Sequence, residues 1–558
     1  MNGSSLGMIF TELVILTLRN PREAARQIIG WQLGRDTLWT SLALAAAVNT
    51  LIFSTSVLVV PSPGMPAFFN NPLVMFVILA GVMVIMTHGL YWTGRAVGGQ
   101  GDLGDVLALV VFLQILRIVA QLAIFVLMFV SPTLSVFASL ATGLFGLWIL
   151  LNFIAVAAIR KDFPILSRQV NGKPLVYLDN GASAQKPQVV IDAINHAYSS
   201  EYSNVHRGLH YLSNLATDHY ESVRGTVAKF LNAADEDEIV FTSGATEGIN
   251  LVAYGWAMPR LEAGDEIIVS VMEHHANIVP WHFLRERQGV VIKWVDTDAS
   301  GALDPQAVID AITPKTKLVA ITHVSNVLGT IVDVKAITAG AHAKGVPVLV
   351  DGSQAAVHMP VDLQDIDCDF YAITGHKLYG PSGSGAIFIK SERMAEMRPF
   401  LGGGDMIREV TKDTVIYNDA PMKFEAGTPG IVPTIGLGVA LDYMMGIGLE
   451  NIAAHEADLR DYAISRFAGL NWLQVQGTAP DKAAIFSFTM EGAAHAHDIS
   501  TILDKKGVAV RAGQHCCGPL MAHLGQTATC RASFGMYNTK TEVDVLIEAL
   551  ELAHDLFA

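Results

Sequence analysis

Cysteine is scarce in this chain. Four occur in 558 residues, Cys368, Cys516, Cys517 and Cys530, and no two are spaced Cys-x-x-Cys. That excludes a disulfide framework and gives no zinc signature, so a reducing compartment fits and any cysteine of interest is a reactive thiol. A basic surplus is also missing: 37 Lys+Arg stand against 52 Asp+Glu, a net charge of −15. Residues 1–160 hold seven basic and five acidic side chains, which leaves about −17 on the remainder. Such acidity argues against nucleic acid as a partner, because phosphate binding needs a basic surface. The start, MNGSSLGMIFTELVILTLRNPREAARQ, has neither the basic n-region nor the small-residue cleavage site of a signal peptide. Its apolar and basic positions predict a helix lying on a membrane surface.

Apolar residues, in contrast, are abundant, at 51% of the chain with a mean hydropathy of +0.38. Four stretches reach the roughly 20 residues needed to cross a bilayer: Leu38 to Val60, Leu73 to Trp92, Val106 to Val130 and Leu134 to Ile159. None after Ile159 does, and none of the four contains an acidic residue. Four runs in succession predict four spanning helices rather than buried core helices. Arg117 lies in the middle of the third; it marks either a polar site facing a partner or a break between two shorter segments. Arg19, Arg22, Arg26 and Arg35 precede the first run, Arg95 lies between the second and third, and Arg160 and Lys161 follow the fourth. The positive-inside rule then places both ends in the cytoplasm.

From about Lys161 onward short β-branched runs alternate with Ala-rich helical stretches: DEIVFTSG, DEIIVSVME, KLVAITHVSN, VPVLVDGSQ and GAIFIKS. This pattern predicts an α/β unit with a largely parallel, buried sheet, whose chemistry sits beyond the carboxyl ends of the strands. Those ends carry polar clusters. VFTSGATEGIN offers backbone N–H groups around Ala245 and the Thr246 hydroxyl, either to a phosphate or as an ordinary helix cap. VMEHHANIVPW offers an imidazole that could lie on an aromatic ring. HVSNVLG places Asn326 at another strand end, and VLVDGSQA places Asp351 and Gln354 at the next, with Asp351 after four apolar residues, where a carboxylate is costly to bury without a cationic partner. Finally ITGHKLYGPSGSG sets Lys377 among apolar and glycine residues. That lysine either snorkels from a loop or has a lowered pKa and attacks carbonyl carbon. Phosphate cup, imidazole, aspartate and lysine, in that order, match what pyridoxal 5'-phosphate demands: a Schiff-base lysine and an acid that keeps the ring nitrogen protonated.

These motifs, with DGSQAAVHMPVD, FEAGTP, RAGQHC and CRASFGMYN, resemble the class V aminotransferase family of fold-type I enzymes, most closely its Suf-type (group II) cysteine desulfurases. The likeness runs from IRKDFPILSRQVNGKPLVYLDNGASAQKP to the C-terminus. It implies a homodimeric pyridoxal-phosphate enzyme with a large domain on a mainly parallel seven-stranded sheet and a small C-terminal α/β domain. It further implies conversion of L-cysteine to L-alanine, with the sulfur left as a persulfide and passed to an acceptor protein of the SufE or SufU kind for iron–sulfur cluster assembly.

By the same resemblance Lys377 is the Schiff-base lysine, Asp351 holds the pyridine nitrogen and His274 stacks on the ring. Asn326 and Gln354 lie at the phenolic oxygen side; Ala245, Thr246, Thr374 and His376 hold the phosphate, and Thr428 reaches it from a second subunit. Arg531, with Arg511 and Asn326, binds the substrate, and Cys516 is the persulfide-forming nucleophile, activated by Arg511 and His515.

Three positions depart from the family pattern: Cys517 stands where a small residue is usual, Gln514 where a histidine is common, and Gly181 where alanine is usual. Cys517 could therefore accept or divert the sulfur. His495 and His497 read as a helix start in preference to a metal clip, LGGGDMI as a tight loop, and no metal site is expected. Residues 1–157, which loosely resemble the Yip family, are expected to form the all-α membrane domain, and residues 158–558 the enzyme. A pyridoxal-phosphate lyase acting on selenocysteine, or a membrane-anchored binding module without catalysis, are the alternatives.

Overall fold

The computed structural model describes residues 34–59, 71–96, 103–130 and 159–557 apart from 493–494, with a few isolated positions elsewhere. The chain divides into two compact units, Met1–Asp162 and Phe163–Ala558.

In the first unit three long helices are described, α1 (Arg35–Val59), α2 (Pro72–Ala96) and α3 (Leu103–Val130). Asn71 starts α2: its side-chain oxygen accepts from the N–H of Leu73 at 2.9 Å, and Pro72 occupies the first helical position, where no N–H is needed. Leu38, Leu42 and Ala46 of α1 pack with Leu107 and Val110 of α3. The opposite faces stay apolar and uncovered, with Leu51 66% and Ile85 72% exposed. A water-facing helix would be polar there, so these faces suit a membrane environment. Three of the expected spans are thus present as helices of sufficient length and apolarity. Helix α3 runs through Arg117 without a break, and Arg117 is exposed on it rather than turned into the bundle. The fourth expected span and the N-terminal surface helix lie almost wholly outside the described residues.

The second unit is built on a seven-stranded sheet. After helix α4 (Tyr211–Leu231) come β1 (Ile239–Thr242), the short helix α5 (Ala245–Leu251), β2 (Glu266–Ser270), β3 (Val291–Val295), β4 (Thr316–Thr322), β5 (Val348–Asp351), β6 (Phe370–Thr374) and β7 (Gly385–Ile389). Their order across the sheet is β1-β7-β6-β5-β4-β2-β3. Strands β3, β2, β4, β5 and β6 run parallel, while β7 lies antiparallel to both β6 and β1. Strands β5, β6 and β7 are buried at every residue, which explains their continuous apolar runs: both faces are covered by helices. The core on one side joins Val240, Ile249, Trp256, Val269, Trp281, Leu349 and Ile387.

Helix α6 (Ile431–Ile447) leads to a four-stranded antiparallel sheet of β8 (Leu473–Gln476), β9 (Ile485–Met490), β10 (Arg511–Gly513) and β11 (Thr529–Ser533), ordered β8-β9-β11-β10. Helix α7 (Ala496–Lys505) lies between β9 and β10, and α8 (Lys540–Phe557) ends the chain. Val543, Leu546, Ile547, Leu550 and Ala553 of α8 share one helical face and are buried with Phe486, Phe488 and Phe534. Full burial of each such phenylalanine stabilises by roughly 1.5–3 kcal/mol. The beginning of this unit is stitched to its end. Val176 and Tyr177 pair in parallel with Val508 and Ala509, and Asp179 bridges to Ser533.

Candidate active site

The carboxyl ends of β1, β2, β4, β5 and β6 deliver their following residues to one cavity of about 300 Å³. Its wall includes Gly181, Ala245, Thr246, His274, Asn326, Asp351, Thr374, His376, Lys377, Arg511, His515, Cys516 and Arg531. The turn after β1 is confined: Gly244 has φ +151, and a Cβ there would stand 3.2 Å from the Thr374 hydroxyl. Glycine is what lets the chain pass from β1 into α5 against β6.

Lys377 follows β6 and makes no hydrogen bond or salt bridge among the described residues. Burial lowers its pKa to about 8, against the opposing pull of Asp351. A buried, unpaired amine of this kind is poised to be a nucleophile and a base. Asp351 closes β5 and is 6% exposed. Its Oδ1 accepts from the Ser353 N–H at 3.0 Å and the Ser353 hydroxyl at 2.6 Å, but it has no salt-bridged cation among the described residues. Beside it, the Nε2 of Gln354 donates to the Gly181 carbonyl at 2.8 Å, while its Oε1 is buried without a partner.

His274 is kept neutral, its pKa lowered by burial and then by Lys377. Its Nδ1 accepts from the Ala276 N–H at 3.1 Å, which assigns the proton to Nε2. His376, likewise neutral, is lowered to about 4 by burial and Lys377. The next residue of the same pair, His275, turns elsewhere: its Nε2 accepts from the Gly518 N–H at 3.0 Å and its own N–H donates to the Cys516 carbonyl at 2.7 Å.

Arg531, on β11, is 2% exposed. Its Nη1 donates to the Asn326 carbonyl at 2.8 Å and its Nη2 lies 3.4 Å from Asp179 Oδ1. Its Nε is buried without a partner. A buried guanidinium with an unused donor suits an anion. Asp179 also receives Arg511, Nε to Oδ1 at 3.1 Å and Nη2 to Oδ2 at 3.0 Å. Asp179 therefore joins both arginines, a role the sequence did not disclose.

Cys516 is exposed and stands in a strained loop: His515 and Cys516 have φ 53 and 57, each costing roughly 1–2 kcal/mol for a residue with a side chain. The loop is pinned in compensation. Asn326 Nδ2 donates to the His515 carbonyl at 2.8 Å, and the Cys517 N–H donates to the Gln514 carbonyl at 3.0 Å. The expected help from a positively charged His515 in activating Cys516 does not agree with the surroundings of its ring. Burial, and then Arg531, lower the His515 pKa to about 3, so its ring is neutral. Its Nε2 lies 2.9 Å from the Thr529 hydroxyl. Arg511 remains as the cationic neighbour. Cys517 is fully buried, its thiol 3.1 Å from Asn326 Oδ1 and 3.6 Å from the Met272 carbonyl; burial pushes its pKa well up. A thiol so enclosed does not match the role of a second sulfur acceptor.

Of the residues expected from the sequence, Gln354 is adjacent to the cavity wall without lining it, and Thr428 is exposed and outside it. The others line the cavity. His495 caps α7, its Nδ1 accepting from the His497 N–H at 3.3 Å, and no cluster of three metal-ligating residues occurs among the described residues.

Residues 176–546 match the aminotransferase class-V family, and residues 15–163 match the Yip1 domain. A protein of Xylella fastidiosa named a probable cysteine desulfurase is 51% identical over 392 residues, 70% of this chain and 94% of that one. The cysteine desulfurase of an Escherichia coli strain is 48% identical over 403 residues, 72% of this chain and 99% of its own. Among solved structures, the Escherichia coli cysteine desulfurase CsdA, with an S-sulfonic acid, aligns with a TM-score of 0.67 at 41% identity, over 72% of this chain and 98% of that one. The desulfurase of Thermococcus onnurineus gives 0.67 at 36%, over 72% and 97%. The sheet order and the match agree with the fold expected from the sequence, a fold-type I α/β enzyme.

Proposed function

Because the chain belongs to the aminotransferase class-V family and aligns along almost the whole length of cysteine desulfurases, we infer that it is a cysteine desulfurase that uses pyridoxal 5'-phosphate and is held on a membrane. The observation that carries this reading is the convergence of Lys377, Asp351, Arg531 and Cys516 on one cavity.

The residues fit the cofactor. An unpaired lysine, a buried carboxylate without a salt-bridged cation and an orphan Gln354 oxygen are the groups a charged heterocyclic aldehyde would satisfy. Asp351 would hold the ring nitrogen, His274 its face and Gln354 its phenolic oxygen. Thr246, Thr374, His376 and the N–H of Ala245 would hold the phosphate, with Thr428 added by a second subunit of a homodimer. Once bound, pyridoxal phosphate supplies an electron sink for the bond to the substrate's α-carbon.

The protein's own groups do the rest. Arg531 binds the carboxylate of L-cysteine, with Arg511 and Asn326 alongside. Lys377 Nζ, about a tenth unprotonated at pH 7 for a pKa near 8, takes the α-proton. Cys516 Sγ, as thiolate, attacks the substrate sulfur. The C–S bond of the substrate breaks, an S–S bond forms on Cys516, the former Cβ takes up a proton and Lys377 Nζ returns one to the α-carbon, giving L-alanine and one persulfide. An acceptor protein of the SufE or SufU kind then takes the sulfur toward iron–sulfur cluster assembly.

Residues 1–157 form the membrane domain in this reading and 158–558 the enzyme, with the enzyme on the cytoplasmic face of the inner membrane. The basic residues around the spans support that orientation. The deciding test is alanine release from L-cysteine by the full-length protein in mild detergent, with matching sulfide when a thiol reductant is present. Release of neither product would overturn the assignment.

A further inference from the structure

We propose that Cys517 is a positioning residue that holds the loop of Cys516 through Asn326, rather than a second carrier of sulfur. The proposal rests on Cys516 being the nucleophile, as argued above.

The chain of contacts is short. The Cys517 thiol has one hydrogen to donate, and its nearer acceptor is Asn326 Oδ1, at 3.1 Å against 3.6 Å for the Met272 carbonyl. That bond fixes which end of the Asn326 amide is oxygen. Its nitrogen then faces the His515 carbonyl at 2.8 Å, the peptide that leads into Cys516. From the other side, Arg531 holds the Asn326 carbonyl at 2.8 Å. Asn326 is thereby the joint between the substrate clamp and the nucleophile loop, and the thiol of Cys517 sets its orientation.

The loop needs such a joint. His515 and Cys516 are two consecutive left-handed residues, a conformation that persists only where surrounding bonds over-determine it. The Cys517 sulfur is also in the wrong place to do chemistry: it is buried completely, whereas Cys516 is exposed and lines the cavity. A small apolar residue at 517 would fill part of the space but leave Asn326 Oδ1 without its donor, and the amide free to turn over.

The experiment compares full-length wild type, C517A and C517S in detergent, by three readouts. These are kcat and KM for L-cysteine, the rate at which iodoacetamide alkylates Cys516 with no L-cysteine present, and the cysteine that carries added sulfur after turnover, located by peptide mass spectrometry. C517A is expected to lower kcat about fivefold, with a smaller change in KM, and to change the Cys516 alkylation rate by a similar factor, since small misplacements of a reacting group are costly. C517S keeps a donor at the same position and restores both.

The proposal is overturned if C517S is as impaired as C517A, if C517A matches wild type in both rates, or if the added sulfur lies on Cys517. If the wild type releases no alanine, the assigned reaction fails, but the alkylation rates still decide whether Cys517 holds the loop.

Discussion

The backbone N–H of His275 donates to the carbonyl of Cys516 across 2.7 Å. The candidate nucleophile is therefore tied to the residue next to His274, which also lines the cavity. The imidazole that walls the site and the candidate nucleophile share one backbone frame.

Cys516→Ser removes the nucleophile and leaves that frame intact. Alanine release from L-cysteine is expected to fall by about two orders of magnitude or more. The visible absorbance of the bound cofactor should persist. Retention of full turnover would remove Cys516 from the mechanism.

Lys377→Ala should abolish both the visible absorbance band and alanine release, with far-ultraviolet circular dichroism unchanged. In the native protein the lysine pKa is depressed to about 8, so the reactive neutral amine is lost as pH falls below that value. The rate of cofactor capture by the apoprotein should rise about tenfold per pH unit up to roughly pH 8 and level off above it. A rate that kept rising to pH 10 would mean the amine is not perturbed.

Asp179→Asn leaves Arg511 and Arg531 without their shared counter-charge. Stability should drop by about 1–3 kcal/mol, since the buried Arg531 loses an acceptor. KM for L-cysteine should rise because Arg531 is disturbed, and kcat should change as well, because Arg511 is the cation beside Cys516. Thermal unfolding and steady-state kinetics read the two effects separately.

The uncovered apolar faces of α1, α2 and α3 predict that the full-length chain sediments with membranes and resists carbonate extraction. In the proposed orientation, protease digests the enzyme unit in inside-out vesicles and spares it in right-side-out ones. The reverse pattern would place it on the other face.

Much of the site was legible because several candidate residues stand at or just after a strand end, and strand ends are marked by abrupt passage from apolar to polar residues. Asp351, Asn326 and Lys377 all announce themselves this way. Strand β3, by contrast, is an edge strand whose residues are mostly exposed or half-buried, so it carries no continuous apolar run. Asp179, His275 and the lock on Asn326 were invisible for another reason. Their partners lie far along the chain, as with Asp179 and Ser533, and no local pattern encodes such a meeting. Nor could the neutrality of His515 be read from its neighbours in sequence, since burial and Arg531 set it.

The pairing of Val176 and Tyr177 with Val508 and Ala509, and of Asp179 with Ser533, has a bearing on biosynthesis. The helices α1 to α3 leave the ribosome first, and Lys377 and Asp351 follow, but the cavity wall is incomplete until Arg531 has emerged and β11 has docked. A growing chain is thus anchored before it is competent. Premature termination between the last of these helices and β11 leaves a polypeptide that carries the apolar helices but lacks Arg531, and with it part of the cavity wall.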